Sequence, residues 1–166
     1  MSVAARSKTV EWEDPAILAA ASRTGGLAFM RAIASGELPP PPIAQLMGFG
    51  IDEVSEGRAV FRAEPGEEHY NPIGMVHGGV AATLLDSCMG CAVHTLMPEG
   101  FGYTTLELSV NYIRAIHADA GPIVATGTVV HPGRTVATAE GRIVVERTGK
   151  LLAHAKTTIL VVPAPG

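Results

Sequence analysis

Residues 77–96 read HGGVAATLLDSCMGCAVHTL, a helical stretch that is apolar on nearly every side and stops before Pro98. A helix without a polar face cannot lie on a protein surface, so other elements have to surround it. The two glycines that open it, Gly78 and Gly79, each cost a helix roughly 1 kcal/mol relative to alanine, which calls for a reason. Close approach of a ligand to the backbone is one, and tight packing against a neighbouring strand is another.

The rest of the chain supplies the wrapping. Residues 49–55 and 58–63 alternate apolar and polar side chains around Glu56-Gly57, a hairpin signal. Residues 64–76, rich in proline and glycine, read as loop. Four more strands are expected over 103–114, 123–131, 134–146 and 151–162, the last three joined by turns at His131-Pro132-Gly133 and Thr148-Gly149-Lys150. No crossover helix separates them. The pattern predicts an α+β domain over residues 49–166, an antiparallel sheet packed on a single central helix. Residues 1–48 form an N-terminal helical extension. In it Asp14 and Pro15 start one helix, a second piece follows Gly25-Gly26 and runs to Ser35, and residues 43–47 add a turn. The prolines at 39–42 make the stiff connector between those last two.

Composition narrows the function classes. A chain of 166 residues, 47% hydrophobic and 17% charged, suits one globular domain and not a disordered segment. A net charge of −4 with no basic cluster speaks against nucleic acid as a partner. Apolar runs break well before the roughly 18 residues a membrane helix needs. The N-terminus lacks the apolar core of a secretory signal, so a cytoplasmic location is expected. Neither a G-x-S-x-G elbow nor a G-x-x-x-x-G-K-[ST] loop occurs. Cys88 and Cys91 form a C-x-x-C, but inside the apolar helix and not at a helix start, where a redox pair would sit. His94 continues the three-residue steps, which drift around the helix, and the other histidines have no metal spacing. Packed thiols and no metal are expected.

One segment carries chemistry. The run Asn71-Pro72-Ile73-Gly74-Met75-Val76-His77-Gly78-Gly79 places an amide, an imidazole and free backbone N–H groups at the start of the helix, and Asp86 follows inside it. First-turn N–H groups have no intrahelical partner and sit at the positive end of the helix dipole, so they can hold an oxyanion. Each well-placed donor is worth roughly 3 kcal/mol to a developing charge. A carboxylate among Leu84, Leu85, Cys88 and Met89 is costly, which marks Asp86 as a functional candidate. His77 and Asp86 are 86 − 77 = 9 residues apart. On one helix that spacing puts them on opposite faces, roughly 13 Å apart along the axis. Two copies of the chain must therefore face each other if both groups act on one atom, and the spacing predicts a dimer with two composite sites.

N-P-I-G-M-V-H-G-G-x6-D resembles the signature of hotdog-fold acyl-CoA thioesterases of the phenylacetate-pathway type, over residues 49–162. The resemblance implies the hotdog fold and hydrolysis of an aromatic or short- to medium-chain acyl-CoA by a homodimer, with dimers pairing into a homotetramer. It implies no cofactor, coenzyme A being part of the substrate. Gly78 N–H would polarise the thioester carbonyl, with Gly79 beside it. Asp86 of the partner subunit would be nucleophile or general base, and Asn71 and His77 would position water or thioester. Thr105 would orient the water, with Thr104 as its alternative. Gly133, Arg134 and Thr135 resemble a loop lining the coenzyme channel, and Arg114 is a further cation for its phosphates. Two other activities suit the same fold: a non-catalytic acyl-CoA-binding protein, and a hydroxyacyl thioester dehydratase.

Overall fold

The computed structural model describes residues 4–164. Three short helices come first: α1 (Pro15–Ala21), α2 (Gly26–Ser35) and α3 (Pro42–Met47). Asp14 starts α1 through its side-chain oxygen, which accepts from the Ala16 N–H at 2.9 Å. The hairpin β1 (Phe49–Ser55) and β2 (Arg58–Ala63) leads through a loop to the long helix α4 (Gly78–His94). Four strands complete the domain: β3 (Phe101–Tyr112), β4 (Ile123–His131), β5 (Val136–Val145) and β6 (Leu151–Pro163).

All six strands form one antiparallel sheet in the order β1-β2-β4-β5-β6-β3, so β1 and β3 are its edges. The sheet curls around α4, as the hotdog arrangement requires. No residue of α4 is exposed, and Leu84, Leu85, Cys88, Met89 and Ala92 are fully buried. β5 and β6 turn small groups inward, among them Ala137, Ala139, Gly141, Ala153 and Ala155. Large side chains on the helix fit against small ones on the sheet, which brings the two layers close at interior packing density.

Element limits differ from the sequence expectation where turns intervene. β3 begins at Phe101, directly after Gly100 at φ 80°, and ends at Tyr112 because the N–H groups of Ile113 and Arg114 both donate to the Leu152 carbonyl. β5 starts at Val136, since Pro132 to Thr135 make the reversal from β4. The loop before α4 contains a 3-10 turn at Glu67–His69, and another lies at Ala118–Ala120. No helix among the described residues is long and apolar enough to cross a membrane.

The extension docks on the domain. α2 meets the C-terminal end of α4, where the Gly26 N–H donates to the Met97 carbonyl at 3.1 Å and the Phe29 ring lies 5.4 Å from the His94 ring. A β-carbon on Gly26 would stand 1.8 Å from the His94 carbonyl oxygen, so only glycine allows the two helices to come this close.

Candidate active site

α4 opens with a cap made by its own histidine. His77 Nδ1 accepts from the Gly79 N–H at 2.9 Å, which leaves the ring proton on Nε2 of an exposed side chain. A β-carbon on Gly79 would lie 2.9 Å from that Nδ1. Gly79 thus makes room for the cap. At Gly78 a β-carbon would press on the Tyr112 ring at 3.2 Å, and the Tyr112 hydroxyl donates to the Gly78 carbonyl at 3.1 Å. The Gly78 N–H itself donates to no group among the described residues and stands at the positive end of α4.

The preceding loop is tied to the same point. Asn71 Oδ1 accepts from the N–H groups of Ile73 and Met75, both at 3.1 Å, which leaves the amide NH₂ as the donor Asn71 can offer a ligand. His69 Nδ1 accepts from the Gly66 N–H, and its carbonyl receives the His77 N–H at 2.8 Å. His69 therefore braces His77. In the sequence it was one scattered histidine, with no spacing to mark it.

Asp86 lies eight residues into the helix from Gly78, about 12 Å along the axis. It is half-buried, and Thr105 on β3 donates to its Oδ1 at 2.9 Å. Thr104 points to the other face of the strand and is exposed. Asp86 opens on an apolar cavity of about 190 Å³ and is its only acidic lining residue. Cys91 and Tyr103 also line it. Burial pushes the Cys91 thiol up to about 12, reinforced by the nearby Asp86 charge, and holds the Tyr103 phenol well above its usual range. Both are neutral at physiological pH, so neither is a ready nucleophile. Burial raises Cys88 in the same way. Both cysteines are free, and no cluster of potential metal ligands occurs among the described residues.

The remaining candidates lie elsewhere. Gly133 and exposed Arg134 border a second apolar cavity, about 260 Å³, beside Leu96 and Met97 just past the end of α4. Thr135 is exposed next to it and accepts the Val161 N–H through its carbonyl at 2.9 Å. Arg114 donates to the Leu151 carbonyl at 2.7 Å and so fastens the end of β3 to the start of β6. Within one chain the structure joins Asn71, His77, Gly78 and Gly79 in one group, and Asp86 with Thr105 in another.

A helix wrapped by one antiparallel sheet is an arrangement this chain shares with known proteins, and here the helix has a free N–H at its start and a carboxyl in its middle. The family profile of the thioesterase superfamily matches residues 73–152, which contain Gly78 and Asp86 but not Asn71. An esterase-named protein of Halobacterium salinarum is 33% identical over 107 residues, 61% of this chain and 69% of that one. The 1,4-dihydroxy-2-naphthoyl-CoA hydrolase of Listeria monocytogenes is 30% identical over 120 residues, 72% of this chain and 94% of its own. Among solved structures, a thioesterase family protein from Silicibacter pomeroyi superimposes with a TM-score of 0.71 at 26% identity, covering 81% of this chain and 96% of that one. The chain belongs to the thioesterase superfamily, and its reaction class is thioester hydrolysis.

Proposed function

We propose that the chain hydrolyses acyl-coenzyme A thioesters at sites built from two subunits. The observation that carries this reading is the unused Gly78 N–H held at one end of α4 while Asp86 with Thr105 sits about 12 Å further along the same helix. One chain cannot bring them to one carbonyl. Two chains related by a twofold axis can, with Gly78 from one and Asp86 from the other. A surface for such pairing exists: β3 is a long edge strand with Leu106, Tyr112 and Ile113 exposed along or just beyond it, and unpaired edges recruit another strand. That the Listeria relative is named for hydrolysis of an acyl-CoA supports coenzyme A as the thiol.

In this reading the Gly78 N–H receives the carbonyl oxygen as it becomes an oxyanion, helped by the helix dipole. Asp86 acts either as general base, taking the proton of the water that attacks the carbonyl, or as nucleophile, forming an acyl anhydride that water then hydrolyses to free the acid and restore the carboxylate; Thr105 fixes which of its oxygens faces the carbonyl. The tetrahedral intermediate collapses by breaking the carbon–sulfur bond. Coenzyme A leaves as a thiolate, so a strong acid for the leaving group is dispensable. Asn71 and His77 hold the thioester or water in line, and Arg134 is the exposed cation available to coenzyme A phosphates.

A mixing experiment tests the composite site. Asp86→Ala removes the carboxylate. Gly78→Pro removes the N–H at the first helical position, where the backbone suits proline and His77 already has an extended conformation; its β-carbon needs the exposed Tyr112 ring to yield by a few tenths of an ångström, so folding of the variant is checked by circular dichroism. Each homodimer should release thiol from acyl-CoA orders of magnitude more slowly than the parent. After subunit exchange at equal amounts, half the dimers carry one intact site of two, and about a quarter of the parental activity should return. No recovery despite demonstrated exchange would rule out shared sites, and full activity of Asp86→Ala would rule out the mechanism.

A further inference from the structure

The two edges of the curled sheet do not meet. β1 and β3 leave a seam along the face of α4 that carries Asp86, and the N-terminal extension lies over that seam. Under it is the 190 Å³ cavity. The extension contributes Met30 and Ile33 from α2, Pro41 from the connector, and Ile43 and Ala44 from α3. The family profile begins only at residue 73, so this roof lies outside the matched region.

We infer that the extension closes the acyl pocket and sets the size of acyl group the enzyme accepts, to one six-membered ring or a chain of about six carbons. This rests on Asp86 being the catalytic carboxyl. Four observations support it. The cavity opens on Asp86, so an acyl group attached to a carbonyl at Asp86 has this void next to it. Apart from Asp86 and the hydroxyl groups of Ser87 and Tyr103, its lining is apolar or the neutral Cys91 thiol, which suits a hydrocarbon and offers a second charge no partner. Its size is also limiting: an apolar void of about 150 Å³ holds one benzene ring, and this one is modestly larger. The roof is fixed rather than loose, because Gly26 seats α2 on the end of α4. The 260 Å³ cavity past the end of α4 has no contact with Asp86 and does not compete for this role.

Ile33 is the residue to vary, being half-buried on the roof and not in the core. Ile33→Ala enlarges the void by three carbons, and Ile33→Phe narrows it by about as much. The probes are straight-chain acyl-CoAs from acetyl to dodecanoyl, with benzoyl- and phenylacetyl-CoA, and kcat and KM are read separately. The parent should favour hexanoyl and single-ring substrates. Ile33→Ala should move the optimum up by two or more carbons, and Ile33→Phe should lower the hexanoyl-to-acetyl ratio of kcat/KM by about tenfold, since one methylene in a pocket is worth roughly that factor or more. An unchanged chain-length profile in both active variants overturns the inference while leaving hydrolysis intact. If the parent hydrolyses no acyl-CoA, the proposed reaction fails instead. The pocket is then judged by titrating S-alkyl-CoA thioethers of the same lengths: a length optimum that moves with Ile33 supports it, and none overturns it.

Discussion

Replacing Thr105 by valine removes one hydroxyl and keeps the shape of the side chain. In the structure that hydroxyl donates to Asp86 Oδ1 at 2.9 Å across a half-buried gap between β3 and α4. Hydrogen bonds to charged groups contribute about 1.5–3 kcal/mol, so a carboxyl that needs this bond to hold its reactive orientation loses roughly 10- to 150-fold in rate. In the proposed mechanism Thr105 acts only through Asp86, so the loss should fall on kcat with KM little changed. Thr105→Ser keeps the donor and should return most of the rate, a rescue that a packing role for the threonine methyl would not give. Thermal unfolding should drop by only about 2–4 °C, corresponding to about 1 kcal/mol for a chain of this size. Thiol release from hexanoyl-CoA, followed spectrophotometrically for all three proteins, is the assay. A kcat for Thr105→Val within twofold of the parent would refute the assignment of Thr105 as the residue that positions Asp86.

Three further outcomes follow from the packing. Gly26→Ala puts a β-carbon 1.8 Å from the His94 carbonyl and should cost at least about 2 kcal/mol, a fall of roughly 4–8 °C in melting temperature by calorimetry. His77→Ala removes the cap on α4 and should cost about 1 kcal/mol in urea unfolding, with His77→Asn recovering it because asparagine is a good N-cap. His94 is buried against Phe29 and Tyr103 with Nε2 unpartnered, and burial lowers its pKa below 6.5. The unfolded chain therefore binds the proton more readily: the stability His94 contributes is complete above about 6.5 and is lost as pH falls through the lower folded value. His94→Phe should flatten the decline of melting temperature between pH 7 and 5, and an unchanged slope would exclude His94 as its source.

How much of this was legible in the sequence depended on range. α4 could be read because burial on nearly all sides leaves a largely apolar record over residues 77–96, and β1, β2 and β4 because their alternation and turns are local. Asp86 and Gly78 stood out for the same reason, as a charge and a weak helix former in an apolar helix. The functions of the other residues depend on contacts across the fold. Thr105 and Thr104 are neighbours that face opposite sides, and only the register of β3 against β6, bulged between Thr105 and Glu107, decides which reaches Asp86. The bond of Arg114 to the Leu151 carbonyl on β6 likewise could not be read from the sequence. The roof over Asp86 is least legible of all. Met30, Ile33 and Ala44 lie 42 to 56 residues from Asp86, and nothing in the amphipathic pattern of α2 says which groove its apolar side will fill.

That geometry divides labour along a single helix. In the proposed site the first turn of α4 stays open to a ligand: the His77 imidazole takes the Gly79 N–H, and the Gly78 N–H has no partner among the described residues. The middle turns are buried to pack the sheet, and Asp86, the carboxylate of the proposed site, lies on the strip that the sheet edges leave uncovered. The last turn only has to anchor, and there His94 meets Gly26 and Phe29 of the extension. In the proposed mechanism a change of acyl preference can then arise in α2 and α3 without disturbing Gly78 or Asp86, since six of the fourteen residues that line the pocket belong to the extension and neither of those groups does.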